Sequence, residues 1–397
     1  MAFLVITLAL IASFLGLLLA LFLTLEVTAS LAGAPLRRSG EAGAVAVVIP
    51  AHNEASAITA TLANVRAQLK SGDRMLVVAD NCSDDTAAVA RANGADVIER
   101  TDAAHRGKGY ALQFALDHLR AAPPEIVVFL DADCLFAEGA LKRLAGLAAR
   151  EKRPAQALYL MQAPAGAGPR LKVAEFAWLF INNVRMRGLQ QIFGVTRFTG
   201  AGFAAPWRHV EDIDLASGEI VEDLAFTFDL IRKKAPPMLV HDAVVTSEFP
   251  ADDAALARQS ARWSIGSLRF ASRASLAAFF EGLVKGNLAL AAAAVDLMIP
   301  PLTIFIAALL AVLAFSLLAW IIVGASEPFW FSFWALVLTF ASVAIGWLRY
   351  GRDALPPSEF GGLARFLMSK LDVFSAKGRA SAKTWTPTRG GDETERS

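Results

Sequence analysis

The feature that most constrains the fold is an uncharged apolar run at the start of the sequence. No Asp, Glu, Lys or Arg occurs from Ala2 to Leu25, and about 20 apolar residues suffice to cross a bilayer as a helix. No Lys or Arg precedes the run, and it is longer than the roughly 7–15 apolar residues of a secretory signal. We therefore expect an uncleaved transmembrane helix over 2–27, rather than a signal peptide cleaved near Ala32-Gly33-Ala34.

A second apolar region, 287–323, lies near the other end of the sequence. Asp296 and the Pro300-Pro301 pair interrupt it, and it is too long for one span but too short for two spans with a turn. Whether the part before Pro301 lies at the membrane interface, re-enters the bilayer or spans it stays open. The expected segments are an interfacial, amphipathic region over 271–301 and transmembrane helices over 302–323 and 328–348.

Basic residues set the expected orientation of these helices. Arg37 and Arg38 follow the first span directly, so the positive-inside rule places the next domain in the cytoplasm. Two later spans return the chain to the same side, in agreement with a basic tail over 349–397. The layout predicts an integral membrane protein, of the bacterial inner membrane, with a cytoplasmic catalytic domain.

Charge and cysteine content exclude two other classes of protein. The formal net charge is +1, whereas a nucleic-acid-binding domain would carry a concentrated basic surface. Cys82 and Cys134 are too few for a disulfide framework. Both lie in the expected cytoplasmic domain, so we expect free thiols without a catalytic role.

The region 40–270 alternates short β-rich runs with helical ones. Apolar strands are expected at 45–49, 75–78, 97–98 and 126–130, the first closed by Pro50, with helices at 55–69, 84–92 and 109–119. Continuous apolar strands separated by helices indicate an α/β fold with a Rossmann-like, mostly parallel sheet covered on both faces. Ligands of such sheets bind at the carboxyl ends of the strands.

Two polar clusters follow the first two expected strands. The first is Pro50-Ala-His52-Asn-Glu54, and the second begins at Asp80 and ends at Thr86. Each is compatible with a turn and a helix N-cap, which is the better interpretation for Asp84 and Asp85. Asp80 stands directly at a strand end, where its carboxylate can accept hydrogen bonds from a ligand.

Two further clusters have the chemistry of a diphosphate site. In Arg106-Gly-Lys108-Gly, glycines flank a lysine at a helix start, where backbone N–H groups and a cation converge on a phosphate. A solvated basic turn would have the same sequence. Asp131-Ala132-Asp133 ends an apolar strand, and two carboxylates at a strand end suit Mg²⁺ or Mn²⁺ bridging a diphosphate.

In this order the four clusters resemble the motifs of family 2 glycosyltransferases, which have the GT-A fold. Two later segments extend the resemblance. Glu222-Asp223 is similar to the ED motif of that family, and Gln259-Ser-Ala-Arg262-Trp263 fits the QxxRW signature of its membrane-integrated branch. That branch includes cellulose, chitin, hyaluronan and poly-N-acetylglucosamine synthases and ceramide glucosyltransferases.

The resemblance implies a role for each motif residue. Donor and nucleotide contacts would come from Pro50, His52, Glu54, Asp80 (at the base), Lys108, Asp131 and Ala132. Asp133, with Asp131, would hold Mg²⁺ or Mn²⁺, and Asp223 would be the catalytic base. The acceptor and the diphosphate would be contacted by Glu222, Gln259, Arg262, Trp263 and Gly200, the last in a loop that matches less closely. The structural alternatives are a helix cap for Glu222-Asp223, a surface charge for Arg262 and an interfacial aromatic residue for Trp263.

The expected reaction is a single displacement that inverts the anomeric carbon and forms a β-glycosidic bond. The expected donor is a UDP-hexose or UDP-N-acetylhexosamine, and the expected acceptor is a membrane-associated lipid-linked or glycan molecule in exopolysaccharide or cell-envelope glycan synthesis. The alternatives are a ceramide-like glycolipid glucosyltransferase, a processive polysaccharide synthase working as a homo-oligomer or with an export partner, and an inactive membrane scaffold. Residues 383–389 of the tail are a candidate gate over the active site.

Overall fold

The structure is a computed structural model that describes residues 2–33, 37–216, 222–250 and 252–362. The chain divides into two compact units. Among the described residues, the α/β unit comprises 37–166 and 194–266, and the helical unit comprises 2–33, 167–193 and 267–362. The candidate gate segment and most of the basic tail lie outside the described residues.

The α/β unit is built on an eight-stranded sheet within the described part of the chain. Its strands are β1 Val45–Ala51, β2 Arg74–Asp80, β3 Asp96–Arg100, β4 Ile126–Phe129, β5 Leu135–Phe136, β6 Ala155–Gln162, β7 Phe203–Pro206 and β8 Met238–Glu248. The spatial order is β3-β2-β1-β4-β7-β6-β8-β5. The pairs β3–β2, β2–β1, β1–β4 and β6–β8 are parallel, whereas β7 is antiparallel to both its neighbours and β5 is antiparallel to β8.

Helices connect the strands and form the helical unit. They are α1 Ala2–Ser30, α2 Ile58–Arg66, α3 Thr86–Ala92, α4 Lys108–Leu119, α5 Ala140–Glu151, α6 Pro169–Leu179, α7 Met186–Phe193, α8 Glu222–Arg232, α9 Asp253–Val284, α10 Leu288–Met298, α11 Leu302–Val323 and α12 Glu327–Gly346. Two π-helical turns, Phe180–Arg185 and Trp347–Gly351, follow α6 and α12. Short 3₁₀ helices occur at Trp207–His209 and Pro357–Gly362.

The mostly parallel sheet expected from the sequence is confirmed. Both faces of the sheet are buried at β1, β2 and β4, and for this reason each of these strands is a nearly continuous apolar run in the sequence. The expectation that Pro50 closes the first strand is wrong, because β1 continues to Ala51 and pairs with β2 as far as Ala79. Pairing of β1 with β4 stops at Val48, so the strand has an unpaired side at Pro50, where a missing N–H is tolerated.

The core of the α/β unit fixes where the strand ends lie. Alternate residues of β1, β2 and β4 pack against α4, and three stacked phenylalanines, Phe129, Phe198 and Phe203, extend this core. The ring centroids of Phe198 and Phe203 are 4.4 Å apart. Because β1, β2 and β4 run in parallel, the polar segments that follow them emerge at one edge of the sheet.

In the described part of the helical unit, three helices are long and apolar enough to cross a membrane: Ala2–Ser30, Leu302–Val323 and Glu327–Gly351. Apolar helices at both ends of the chain were expected, and their presence is confirmed. α10 has 11 residues, fewer than a span requires. Its position at an interface stays a prediction.

Small residues allow the long helices to approach closely. A Cβ at Gly16 would lie 2.8 Å from the side chain of Leu309. The hydroxyls of Thr24 and Ser342 are hydrogen-bonded at 3.0 Å. Close backbone approach and interhelical hydroxyl bonds are typical of helices packed in lipid, where burial of apolar surface gives little driving force.

Three charged side chains are buried together in the helical unit. Arg185, at the end of the first π-helical turn, contacts Glu26 of α1 at 3.1 Å and Asp296 of α10 at 2.6 Å. All three side chains are at most 4 % exposed. Arg185 therefore connects α1, α10 and the segment between α6 and α7, three parts of the helical unit that are far apart in sequence.

Candidate active site

Hydrogen bonds connect the first two polar clusters at the ends of β1 and β2. His52 donates from Nδ1 to the carbonyl oxygen of Asp80 at 2.7 Å, which fixes its tautomer when neutral. The Ser83 N–H donates to Asn53 Oδ1 at 2.8 Å, and the Glu54 N–H donates to Thr86 Oγ1 at 2.8 Å. The two loops thus form one ordered surface.

Asp80 is held in place by two donors on the same carboxylate oxygen. Oδ1 accepts from Arg100 Nη1 at 2.7 Å and from Asn81 Nδ2 at 3.0 Å. Arg100 is opposite Asp80 in the parallel pairing of β2 and β3, and its Nη2 also contacts Asp102 Oδ2 at 3.2 Å. Asp80, which is expected to contact the nucleobase, is thus part of a charged network with Arg100 and Asp102 that the sequence did not indicate.

The donor atoms at the Asp131-Ala132-Asp133 segment fit a divalent metal ion. Ligand atoms of Asp131, Asp133 and Cys134 lie within 4.8 Å of one another. Burial raises the pKa of the Cys134 thiol well above its usual value, and the charges of Asp133 and Asp131 act in the same direction. The thiol therefore stays protonated, and the two carboxylates are the donors that fit Mg²⁺ or Mn²⁺.

The loop that carries these carboxylates is anchored at its middle residue. Ala132 is buried, and its carbonyl oxygen accepts a hydrogen bond of 2.7 Å from Thr61 Oγ1 of α2. The anchor leaves the flanking carboxylates half-buried rather than fully exposed. Ala132 therefore acts through its backbone in the described structure.

Lys108 joins the third cluster to the fourth. It is the first residue of α4, and its Nζ forms an ion pair with Asp131 and donates to the carbonyl oxygen of Gly200 at 2.7 Å. Gly107 precedes it with a φ of 138°, in the region that favours glycine. The expected phosphate-binding lysine thus contacts Asp131, one of the two carboxylates expected to hold the metal.

Asp223 is the second carboxylate centre of the site. Burial raises its pKa to about 6, although the positive charges of Lys108 and Arg197 oppose the increase. A Cβ at Gly200 would lie 3.8 Å from Lys108 Nζ and 3.9 Å from Asp223 Oδ2. The structure therefore brings together Asp131, Lys108, Gly200 and Asp223, with an acid whose pKa suits general-base chemistry near neutral pH.

The remaining expected site residues are less completely described. The side chain of Glu222 lies outside the described residues, although Glu222 begins α8. Gln259, Arg262 and Trp263 are half-buried in the first part of α9, where their spacing of three and four residues places them on one helical face. Their approach to the diphosphate and acceptor stays a prediction, as do the donor contacts of Pro50 and Glu54.

Two buried oxygen atoms near these motifs have no hydrogen-bond partner among the described residues. They are Gln259 Oε1 and Thr199 Oγ1. Buried polar atoms in folded proteins almost always have a partner. Each has acceptor capacity that the described residues leave unused.

Three residues of the site have no signature in the sequence. Arg100 holds Asp80, and Arg197 lowers the pKa of Asp223. The buried Gln156 amide donates to the Ala201 carbonyl oxygen at 2.9 Å and accepts from the Thr199 N–H at 3.1 Å, which shapes the loop containing Gly200. A parallel alignment of β2 and β3 would have placed Arg100 beside Asp80, whereas nothing in the sequence pattern indicates the other two.

Comparisons with known proteins are consistent with this geometry. A family model described as "Glycosyltransferase like family 2" matches residues 42–266, more than half of the chain. A mannosyltransferase from Pyrobaculum calidifontis, solved with GDP-Man and Mn²⁺, is 16 % identical, with a TM-score of 0.52 over 96 % of this chain and 95 % of that one. This likeness shows a shared fold. No curated protein matches the sequence significantly.

Glucosyl-3-phosphoglycerate synthase from Mycobacterium tuberculosis is similar over a smaller part of the chain. Its structure with Mn²⁺, UDP and phosphoglyceric acid is 21 % identical, with a TM-score of 0.38 over 55 % of this chain and 75 % of that one. A structure of the same synthase with Mg²⁺ and UDP is 20 % identical, with a TM-score of 0.36 over 52 % and 70 %.

Proposed function

Since the chain belongs to the glycosyltransferase-like family 2 and is a glycosyltransferase that uses nucleotide sugars, we propose that it is an inverting, membrane-bound enzyme. Its donor is a UDP-linked hexose or N-acetylhexosamine, and its acceptor is a membrane-associated glycan or lipid-linked molecule. The product is a β-linked glycan of the exopolysaccharide or cell-envelope class.

The observation that supports this proposal most strongly is the arrangement of Lys108 between two carboxylate centres. Lys108 forms an ion pair with Asp131 on one side. On its other side lies Gly200, and a Cβ at that position would be in van der Waals contact with both Lys108 Nζ and Asp223 Oδ2. A glycosyl transfer needs a cation where the diphosphate leaves and a base where the acceptor attacks. This one cluster supplies both.

The reaction follows from the charges at each end of the cluster. Asp223 accepts the proton of an acceptor hydroxyl as its oxygen bonds to the anomeric carbon, and the bond from that carbon to the diphosphate breaks with its electrons on the leaving oxygen. Lys108 and Arg262 stabilise the negative charge that develops there. Attack opposite the leaving group converts an α-linked donor into a β-linked product.

A divalent cation fits the site, and Asp131 with Asp133 would hold it. Mg²⁺ or Mn²⁺ bound there supplies positive charge next to the diphosphate oxygens. The three helices able to cross a membrane support an acceptor that is itself held in the bilayer.

The test is turnover of a panel of nucleotide sugars by the purified, detergent-solubilised full chain, with and without a membrane-lipid extract. Each donor is assayed with Mn²⁺, with Mg²⁺ and with EDTA. Asp223→Asn is compared with Asp117→Asn, which changes an exposed aspartate of α4. We expect metal-dependent release of UDP from one donor, lost in Asp223→Asn and retained in Asp117→Asn.

The product distinguishes the acceptor classes. Labelled sugar that extracts into organic solvent identifies a lipid acceptor, including a ceramide-like one, whereas label of high mass identifies a processive synthase. An α-linked product from an α-linked donor would contradict the single displacement. Absence of turnover for every donor, even with the lipid extract, would favour an inactive scaffold.

A further inference from the structure

We infer that Arg100 determines the nucleobase specificity of the donor site. By occupying one carboxylate oxygen of Asp80, Arg100 leaves a single acceptor oxygen, which matches the one N–H of a uracil edge and not the two N–H donors of guanine. The inference rests on the proposed function, in which Asp80 contacts the base, and it adds a positioning residue outside the motifs.

The Arg100 guanidinium is fixed on three sides. Nη1 contacts Asp80 Oδ1 at 2.7 Å, Nη2 contacts Asp102 Oδ2 at 3.2 Å, and the group lies over the Tyr110 ring at 5.5 Å from its centroid. The side chains of Arg100 and Asp80 are only 11 % and 10 % exposed. A planar fork held by two carboxylates and an aromatic ring is well ordered, in contrast to an exposed ion pair.

Asn81 strengthens the same arrangement. Its Oδ1 accepts the Asp102 N–H at 2.8 Å, which orients the amide so that Nδ2 faces Asp80 Oδ1 at 3.0 Å. Asp80 Oδ1 therefore already has two donors. Asp80 Oδ2 accepts no hydrogen bond from the described residues of the protein, and it is the oxygen left for a ligand.

The nucleobases differ in what they offer to one carboxylate oxygen. Uracil has one N–H, at N3, between two carbonyl acceptors, so it pairs with one acceptor flanked by donors such as the Arg100 and Asn81 nitrogens. Guanine presents N1–H and N2–H side by side and pairs best with both oxygens of a carboxylate. Cytosine presents an unprotonated N3, which a carboxylate repels. An unmatched donor or acceptor at a polar site lowers affinity strongly.

The test is isothermal titration of the full chain, in detergent with Mn²⁺, by UDP, GDP and CDP. We expect the wild-type protein to bind UDP on the order of tenfold more tightly than GDP, the effect of one well-placed hydrogen bond to a charged group, with CDP weaker than UDP. In Arg100→Ala, Asp80 Oδ1 keeps only the Asn81 donor and regains one acceptor position for a ligand, so we expect the UDP-to-GDP affinity ratio to fall to about threefold or less.

Two further variants separate specificity from folding and from charge. Arg100→Lys keeps the charge but replaces the planar fork, whose two nitrogens contact Asp80 and Asp102 separately, by a single nitrogen on a flexible chain, so its ratio should fall by about threefold or more. Arg91→Ala removes an exposed arginine that pairs with Glu99 of β3, and its ratio should equal that of the wild type. Thermal unfolding of each variant shows whether the fold is kept, and Arg100→Lys provides the comparison if Arg100→Ala fails to fold.

The outcomes separate this inference from the proposed function. Wild-type protein that binds GDP as tightly as UDP would overturn the inference alone. Arg100 variants that lose affinity for UDP and GDP by the same factor would also overturn it, since a purely structural role has that effect. Failure of the wild type to bind any nucleoside diphosphate would contradict the proposed function and the inference with it.

Discussion

Removal of the Lys108 charge should raise the pKa of Asp223 and shift the pH dependence of turnover. Asp223 has a pKa of about 6, which burial raises and the positive charge of Lys108 opposes. The base is active when ionised, so the wild-type rate should increase with pH to a plateau above about 6. In Lys108→Gln the opposing charge is absent, and the midpoint should move to higher pH.

The size of the shift follows from the geometry. A Cβ at Gly200 would be 3.8 Å from Lys108 Nζ and 3.9 Å from Asp223 Oδ2. The two charged atoms are therefore within roughly 8 Å of each other, and at that distance two unit charges interact by about 2 kcal/mol at an effective dielectric of ~20. In bulk water the interaction is about 0.5 kcal/mol. These energies correspond to an increase in pKa of about 0.4 to 1.5. We expect the midpoint of Lys108→Gln to be close to 7.

The assay is kcat/KM for the donor between pH 5 and pH 8.5 at constant low ionic strength. The absolute rate of Lys108→Gln will be lower, because the lysine also stabilises the leaving diphosphate, and the midpoint is therefore the informative quantity. Lys142→Gln, which changes an exposed lysine of α5, should keep the wild-type midpoint. A Lys108→Gln midpoint at or below that of the wild type would refute the electrostatic link between the two residues.

Three further predictions concern stability. Asp223→Asn should be more stable than the wild type by about 1–2 kcal/mol at pH 8, allowing for partial exposure. The reason is that the pKa of Asp223 in the folded protein, about 6, exceeds its ordinary value of 3.8, so the ionised carboxylate destabilises the fold. Urea unfolding should show the difference in stability shrinking between pH 6 and pH 4, where the wild-type carboxylate becomes protonated. Gly202→Ala should be destabilising by about 2 kcal/mol or more, since φ is 68° and the added Cβ would lie 2.7 Å from a valine side chain. Gly166→Ala, with a φ of 75° and open space around the added Cβ, should be less destabilising, and urea unfolding compares the two variants. Arg185→Leu should destabilise by about 3–5 kcal/mol, because two buried carboxylates lose their shared partner, and neutralising both carboxylates as well should restore much of the loss.

The parts of the fold that the sequence predicts well are those with strong local patterns. The parallel strands and the three long apolar helices have such patterns, because burial on both faces or in lipid requires unbroken apolar runs. Strand ends are less predictable. β1 passes through Pro50 because its partner β4 stops first, and that depends on a strand that is distant in the chain.

The candidate site divides in the same way. Asp131 and Asp133 are identifiable because both lie in one short segment after a strand. The approach of Lys108 to Asp223 across Gly200 depends on three separate segments of the chain, so motif order indicates it only through family resemblance. Arg100 belongs to no motif, and its role follows from the register of two strands.

The most direct test of the account compares the wild type with Asp223→Asn at saturating donor and Mn²⁺, with UDP affinity measured for both. The account predicts that the variant binds UDP as the wild type does, while the rate of UDP release falls by about two to four orders of magnitude, as expected for loss of a positioned general base. A variant that binds UDP normally and still turns over at a rate close to that of the wild type would contradict the assignment of Asp223 and the mechanism built on it.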